Sequence, residues 1–227
     1  MGTAWEIEEA CGRHGVADYI ARAMGTQPLS RLTGVVPLPR AFSSRYGPPL
    51  ISYVDTDIFR RTYYTFCLAC DFCYDDCCQY GVDVDLYHYE RIMQHADALE
   101  SYTGVSRERW FTKGVELDPE VPGGGSRRTR VVGGRCVFIN REGRGCMLHS
   151  FCVDQGLDFR ELKSMVDCLF PLTFYDDTVC VADEVDDGSL ACLGSGPTVY
   201  RGGREDLEYY FGGEFVAVLD EMEALAT

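Results

Sequence analysis

The sequence predicts an α+β protein: a small, irregular, metal-centred domain with short antiparallel strands flanked by helices. Three observations carry this. Helical periodicity marks both ends of the chain, over residues 4–24 and 205–226. Between them lie short runs of aromatic and β-branched residues separated by Gly, Pro and Asp turns. At the centre sits a cysteine run, Cys67, Cys70, Cys73, Cys77 and Cys78, spaced C-x2-C-x2-C-x3-C-C. Thiolates packed this closely repel one another unless a cation lies between them. A metal ion or an iron–sulfur cluster deprotonates the thiols and turns repulsion into ligation.

Composition sets the bounds. A chain of 227 residues buries a core without staples. Hydrophobic content of 46% and charged content of 25% are those of an ordinary soluble globular protein. No apolar run approaches the ~20 residues that span a bilayer. Residues 1–9 lack the basic and apolar regions of a signal peptide, so a cytoplasmic location and no membrane partner are expected. In a reducing compartment twelve cysteines read as ligands rather than disulfides. The adjacent pair Cys77-Cys78 agrees, because neighbouring cysteines bridge each other only with strain. A net charge of −15 repels phosphate backbones, so no nucleic-acid partner is expected. Lys113 and Lys163 are the only lysines and Asn140 the only asparagine. A haloarchaeal surface and a GC-rich genome both produce that pattern, and both stay open.

In chain order, residues 4–24 place Ile7, Ala10, Cys11, Val16, Tyr19, Ile20 and Ala23 at helical spacing, with Gly12 and Gly15 weakening the middle. Residues 25–49, with Pro37, Pro39, Pro48 and Pro49, read as a connecting arm. Strands are expected at 50–54 and 61–66, the second delivering the chain to the cysteine loop. Asp85 is the expected N-cap of a helix through Tyr89, Ile92, Met93, Ala96 and Leu99, closing near Gly104. Ser106 is the expected cap of a short second helix carrying Trp110 and Phe111. His88 and His95 on this segment read as surface or core edge rather than ligands. Residues 118–130 form a Gly-rich loop without the Gly-Lys-Ser/Thr ending of a P-loop, so a flexible hairpin tip is expected. Residues 131–139 read as a hairpin arm, and Gly145-Cys146 as the start of a short helix. A further helical piece is expected at 159–165. Strands follow at 172–175 and 178–181, turned by Asp176-Asp177. The terminal helix 205–226 is interrupted at Gly212-Gly213. This organisation divides as a helical segment and arm over 1–60, a cysteine-cluster domain over 61–200, and a C-terminal helix over 201–227 packed on it.

Cys67, Cys70, Cys73 and Cys77 have the spacing of bacterial [4Fe–4S] ferredoxins. Two departures stand out: Cys78 replaces the usual proline, and no second run exists. Zinc accepts the same thiolates in sets of four, so the expected cofactor is a zinc ion or a [4Fe-4S] cluster. Four further blocks resemble a known family. They are Cys73-x3-Cys77-Cys78 with Tyr80-Gly81, Gly134-Arg135-Cys136-Val137-Phe138, Gly145-Cys146-Met147-Leu148-His149, and Cys168-Leu169-Phe170-Pro171-Leu172. Together, over residues 66–182, they resemble the YkgJ-like cysteine-cluster family of zinc- or iron-chelating proteins, whose function is unknown. The resemblance implies a metal-binding fold and brings no reaction with it.

Cys136, Cys146 and Cys168 come from separate elements, so their convergence on the loop would tie the chain together. The expected ligands are therefore Cys67, Cys70, Cys73, Cys77, Cys78, Cys136, Cys146 and Cys168, in one site or two. At least one complete set is expected among Cys73, Cys77, Cys78, Cys136, Cys146 and Cys168. Cys152, Cys180 and Cys192 read as packing residues. No G-x-S-x-G, H-E-x-x-H or nucleotide fingerprint appears. The function expected is metal binding with a structural or redox site. The alternative is an iron–sulfur metalloenzyme, since the cysteine segment also resembles that of the flagellin lysine methylases.

Overall fold

The computed structural model describes residues 33–185, 188 and 190–226, so the helix expected over residues 4–24, with Cys11, lies outside it. The proline-rich arm is not a connector. It contains β1 (Val35–Ser44), which pairs with β2 (Gly47–Asp55) as a long antiparallel hairpin. Pro37 and Pro39 fit there because β1 is an edge strand and its register breaks between Pro37 and Phe42.

The second expected strand is shorter than its composition suggests: β3 is only Thr62–Tyr63. After the cysteine loop come β4 (Asp83–Asp85) and two helices, α1 (Leu86–Gln94) and α2 (Ala96–Thr103). The Asp85 carboxylate accepts from the His88 amide at 2.9 Å and caps α1. Gly104, at φ 67°, closes α2 in the left-handed region. The segment 118–130 is not all loop. β5 (Glu116–Leu117) and β6 (Gly125–Arg128) pair across it, and β4 joins on the other side of β6. A small hairpin follows, β7 (Val131–Val132) with β8 (Arg135–Cys136). Then come α3 (Met147–Gln155) and α4 (Met165–Leu169).

β9 (Leu172–Tyr175) and β10 (Thr178–Val181) occupy their expected spans, and Asp176 and Asp177 turn between them at positive φ. β10 lies parallel to β2, which completes a mixed sheet of order β1-β2-β10-β9. β11 (Leu193–Thr198) returns to pair with β3. The terminal helix is two helices, α5 (Val199–Phe211) and α6 (Gly213–Ala226), broken at Gly212.

Two hydrophobic cores result. The first joins the β1–β2 hairpin to the C-terminal helices: Val36, Phe42, Ile51 and Val54 pack with Tyr200, Leu207, Phe215 and Leu219. The second is made by the middle of the chain, with Ile92, Leu99, Trp110, Phe138, Phe151 and Leu162. The chain leaves the first core through the cysteine loop and returns to it through Lys163 and Ser164. The chemistry therefore sits where the two cores meet.

Candidate metal centre

β3 and β11 set the position of the centre. Leu193 pairs with Tyr63, and the Tyr64 amide donates to the Cys192 carbonyl at 3.1 Å. This pairing holds Cys192 beside the chain as it enters the cysteine loop. The loop then makes two single 3-10 turns, Cys67–Ala69 and Asp76–Cys78. Between them Tyr74 and Asp75 adopt left-handed conformations, at φ 53° and 59°.

That reversal drives Asp75 inward. Its buried carboxylate accepts from the Gly145 amide at 3.1 Å and pairs with Arg144 at 3.5 Å. Arg144 also donates to the Cys73 sulfur at 3.4 Å. The segment before α3 thus clamps the loop. Gly145 is required for the clamp: its φ is +74°, and an added Cβ would stand 2.6 Å from Leu68 Cδ2.

The outcome is a three-sulfur group. The sulfurs of Cys70, Cys73 and Cys192 all lie within 4.8 Å of one another, and all three residues are buried. Burial pushes these thiols up. In Cys70, hydrogen bonds from Cys73, the Phe72 amide and Cys192 outweigh burial and bring it below its ordinary range. Cys73 stays raised, by burial and by Cys70. Cys192 is pushed up to about 12, by burial first and then by Cys73. Three soft donors converging in a buried place are the donor chemistry of zinc and iron–sulfur sites, so the residues fit a thiolate-bound metal. The cation would supply the charge that removes the remaining protons.

Cys192, which reads from the sequence as a packing residue, is the member of the group that local pattern misses. No spacing in sequence connects it to the loop; only the β3–β11 pairing does. Cys70 and Cys73 are donors expected from the run. Among the described residues no other three cysteines, histidines or carboxylates close to the same distance.

All the other expected ligands except Cys168 line a cavity of ≈ 1380 Å³ between the two cores. Cys67, Cys77, Cys78, Cys136 and Cys146 line it, together with Cys73 and Cys192. The sulfurs of Cys77 and Cys78 are 4.0 Å apart. The Cys136 thiol points to Thr129 Oγ1 at 3.5 Å, and the Cys168 thiol to the Lys163 carbonyl at 3.8 Å. Burial pushes Cys146 and Cys168 each up to about 12, against the opposing charge of Lys163. Lys163 reaches the same cavity and donates to the Asp167 carbonyl at 3.3 Å. Burial alone would lower its pKa, but Cys168, Asp167 and Cys146 hold it above the ordinary range.

Of the two packing residues, Cys152 is fully buried in the second core, and the Cys180 thiol faces the Thr173 carbonyl at 3.9 Å. His88 is not at the surface. Its ring is fully buried, with Nδ1 2.7 Å from the Asp85 carboxylate and Nε2 3.2 Å from the Arg160 carbonyl.

The fold is α+β, with six helices among the described residues and a buried thiol group that could hold a metal. No helix among those residues is long and apolar enough to cross a membrane. The chain matches no family model, no curated protein and no solved structure.

Proposed function

We propose that this chain is a thiolate metal-binding protein in which Cys70, Cys73 and Cys192 supply three ligands to a single tetrahedral ion, zinc in the first instance. One observation carries the reading. Sulfurs sharing one zinc at 2.3 Å stand ~3.8 Å apart across a tetrahedron, and the three sulfurs here lie within 4.8 Å. In a cubane each thiolate binds a different iron, which spreads the sulfurs further. The fourth position falls to a further loop cysteine or to a ligand from the cavity. The four sequence blocks support membership of the YkgJ-like cysteine-cluster family, with Cys77, Cys78, Cys136, Cys146 and Cys168 forming the rest of its thiol set.

A second reading has its own support. The spacing of Cys67, Cys70, Cys73 and Cys77 suits a [4Fe-4S] cluster. A cavity bearing Lys163, Asp167 and His149 beside the sulfurs suits a metalloenzyme. Elemental analysis and visible spectra of anaerobically purified protein separate the readings. A colourless protein with zinc, losing one equivalent in Cys73→Ser, supports the first. A brown protein with iron and sulfide supports the second. A wild-type protein free of both, after purification without chelators, refutes both.

A further inference from the structure

The three-sulfur group opens onto the cavity through Cys73 and Cys192, and carboxylates outnumber cations in the cavity lining. One lip is β5 and the turn joining it to β6, with Glu116, Asp118 and Glu120. The other comprises the β9–β10 turn and the 3-10 turn after β10, with Asp176, Asp177 and Glu184. Two other lining carboxylates are paired with arginines: Asp83 with Arg128 at 2.5 Å and Asp75 with Arg144 at 3.5 Å. Among the described residues, none of the six lip carboxylates has a cationic partner. Among the described residues, the only Lys and Arg lining the cavity are Arg128 and Lys163.

The surface between the lips is not built for water alone. Tyr80 and Tyr175 line the cavity with 69% and 73% of their surface exposed, beside Pro48 and Pro49. Exposed aromatic faces next to unpaired carboxylates attract cations by two means, the ring quadrupole and direct charge. The volume of ≈ 1380 Å³ exceeds the roughly 300–1,000 Å³ of small-molecule sites. A groove of that size, with apolar walls and an acidic rim, matches a stretch of polypeptide better than a compact solute.

We propose that this groove docks a basic segment of another protein, its Lys or Arg side chains on the two acidic lips and its backbone across Tyr80 and Tyr175. The proposal deepens the metal-binding reading, on which it rests for what the bound segment faces: the segment would lie against the metal centre. Charge complementarity selects this occupant. An acidic or neutral segment would leave six carboxylates facing an uncompensated surface.

The test is fluorescence anisotropy of a labelled nonalysine peptide with the full chain at 0.1 M salt. Spermine serves as the competitor. Asp176→Asn/Asp177→Asn keeps the turn, because Asn tolerates positive φ, and it should weaken binding at least tenfold. Glu116→Gln/Asp118→Asn/Glu120→Gln should do the same, and Tyr175→Ala severalfold. A control of similar charge change on another face, Asp97→Asn/Glu214→Gln, should leave binding within twofold. Binding lost equally in the control, spermine displacing the peptide at equal amine concentration, or no binding below millimolar peptide would each overturn the proposal. Metal content is measured on every sample. Loss of peptide binding in lip variants that keep their metal speaks to the groove alone, whereas wild-type protein without metal speaks against the centre.

Discussion

Replacing Cys192 with serine is the sharpest test of the centre, because no local feature of the sequence assigns that residue to it. Its sulfur lies within 4.8 Å of those of Cys70 and Cys73, against the ~3.8 Å that one zinc would impose. Closing the group thus takes movements of at most about 1 Å, within the reach of side-chain adjustment. Structural zinc sites bind with an apparent 10–16 kcal/mol, or about 3 kcal/mol for each of four donors. A serine hydroxyl does not ionise at neutral pH, so Cys192→Ser should lose about 3 kcal/mol of binding, roughly 100-fold in affinity. Competition against a chromogenic chelator under anaerobic conditions measures this directly. Because binding free energy is also folding free energy, the melting temperature of the loaded protein should fall too. Cys180→Ser is the internal control. That thiol sits on β10 against the Thr173 carbonyl, away from the group, and its loss should leave affinity unchanged. A Cys192→Ser affinity within threefold of wild type, or an equal loss in Cys180→Ser, would refute the assignment.

Gly145→Ala should cost about 1–2 kcal/mol in urea denaturation, the price of a left-handed alanine, with Leu68 yielding to the new methyl; a loss under 0.5 kcal/mol would show that the clamp relaxes freely. His149 is held down to about 4 by burial and then by Lys163, so it stays neutral in the fold while the unfolded chain takes up a proton below pH 6.5. Its contribution is therefore complete above pH 6.5 and fades as pH falls towards 4. With a half-exposed ring, the stability of wild type relative to His149→Gln should drop by about 1–2 kcal/mol between pH 7 and pH 4.5, and a pH-independent difference would contradict the burial argument. Tyr200→Phe should cost about 1–1.5 kcal/mol, because the buried hydroxyl has one proton to donate, with the Asp220 carboxylate at 2.8 Å and the Val216 carbonyl at 3.0 Å both accepting from it, joining α5 to α6. Unchanged denaturation would mean that water replaces both bonds.

The sequence by itself determined whatever depends on neighbours. The β9–β10 hairpin was legible because Asp176-Asp177 is a turn between two apolar runs, and α1 because Asp85 stands where a cap belongs. The break at Gly212 and the thiol character of the loop were legible for the same reason. Tertiary structure decided the rest. Composition made residues 35–44 an arm, but pairing along an edge tolerates prolines that an interior strand would reject. Residues 125–128 became a strand only because β4 and β5 lie on either side. His88 reads as surface or core edge until Asp85 and the Arg160 carbonyl close around it and bury it fully. Cys192 looks like any small buried residue until β11 returns to β3 and places it beside Cys70 and Cys73. Spacing along a chain encodes which donors one loop can offer. Which distant donor completes the set depends on strand pairing and on where two cores meet, and those are settled by long-range burial rather than by local pattern.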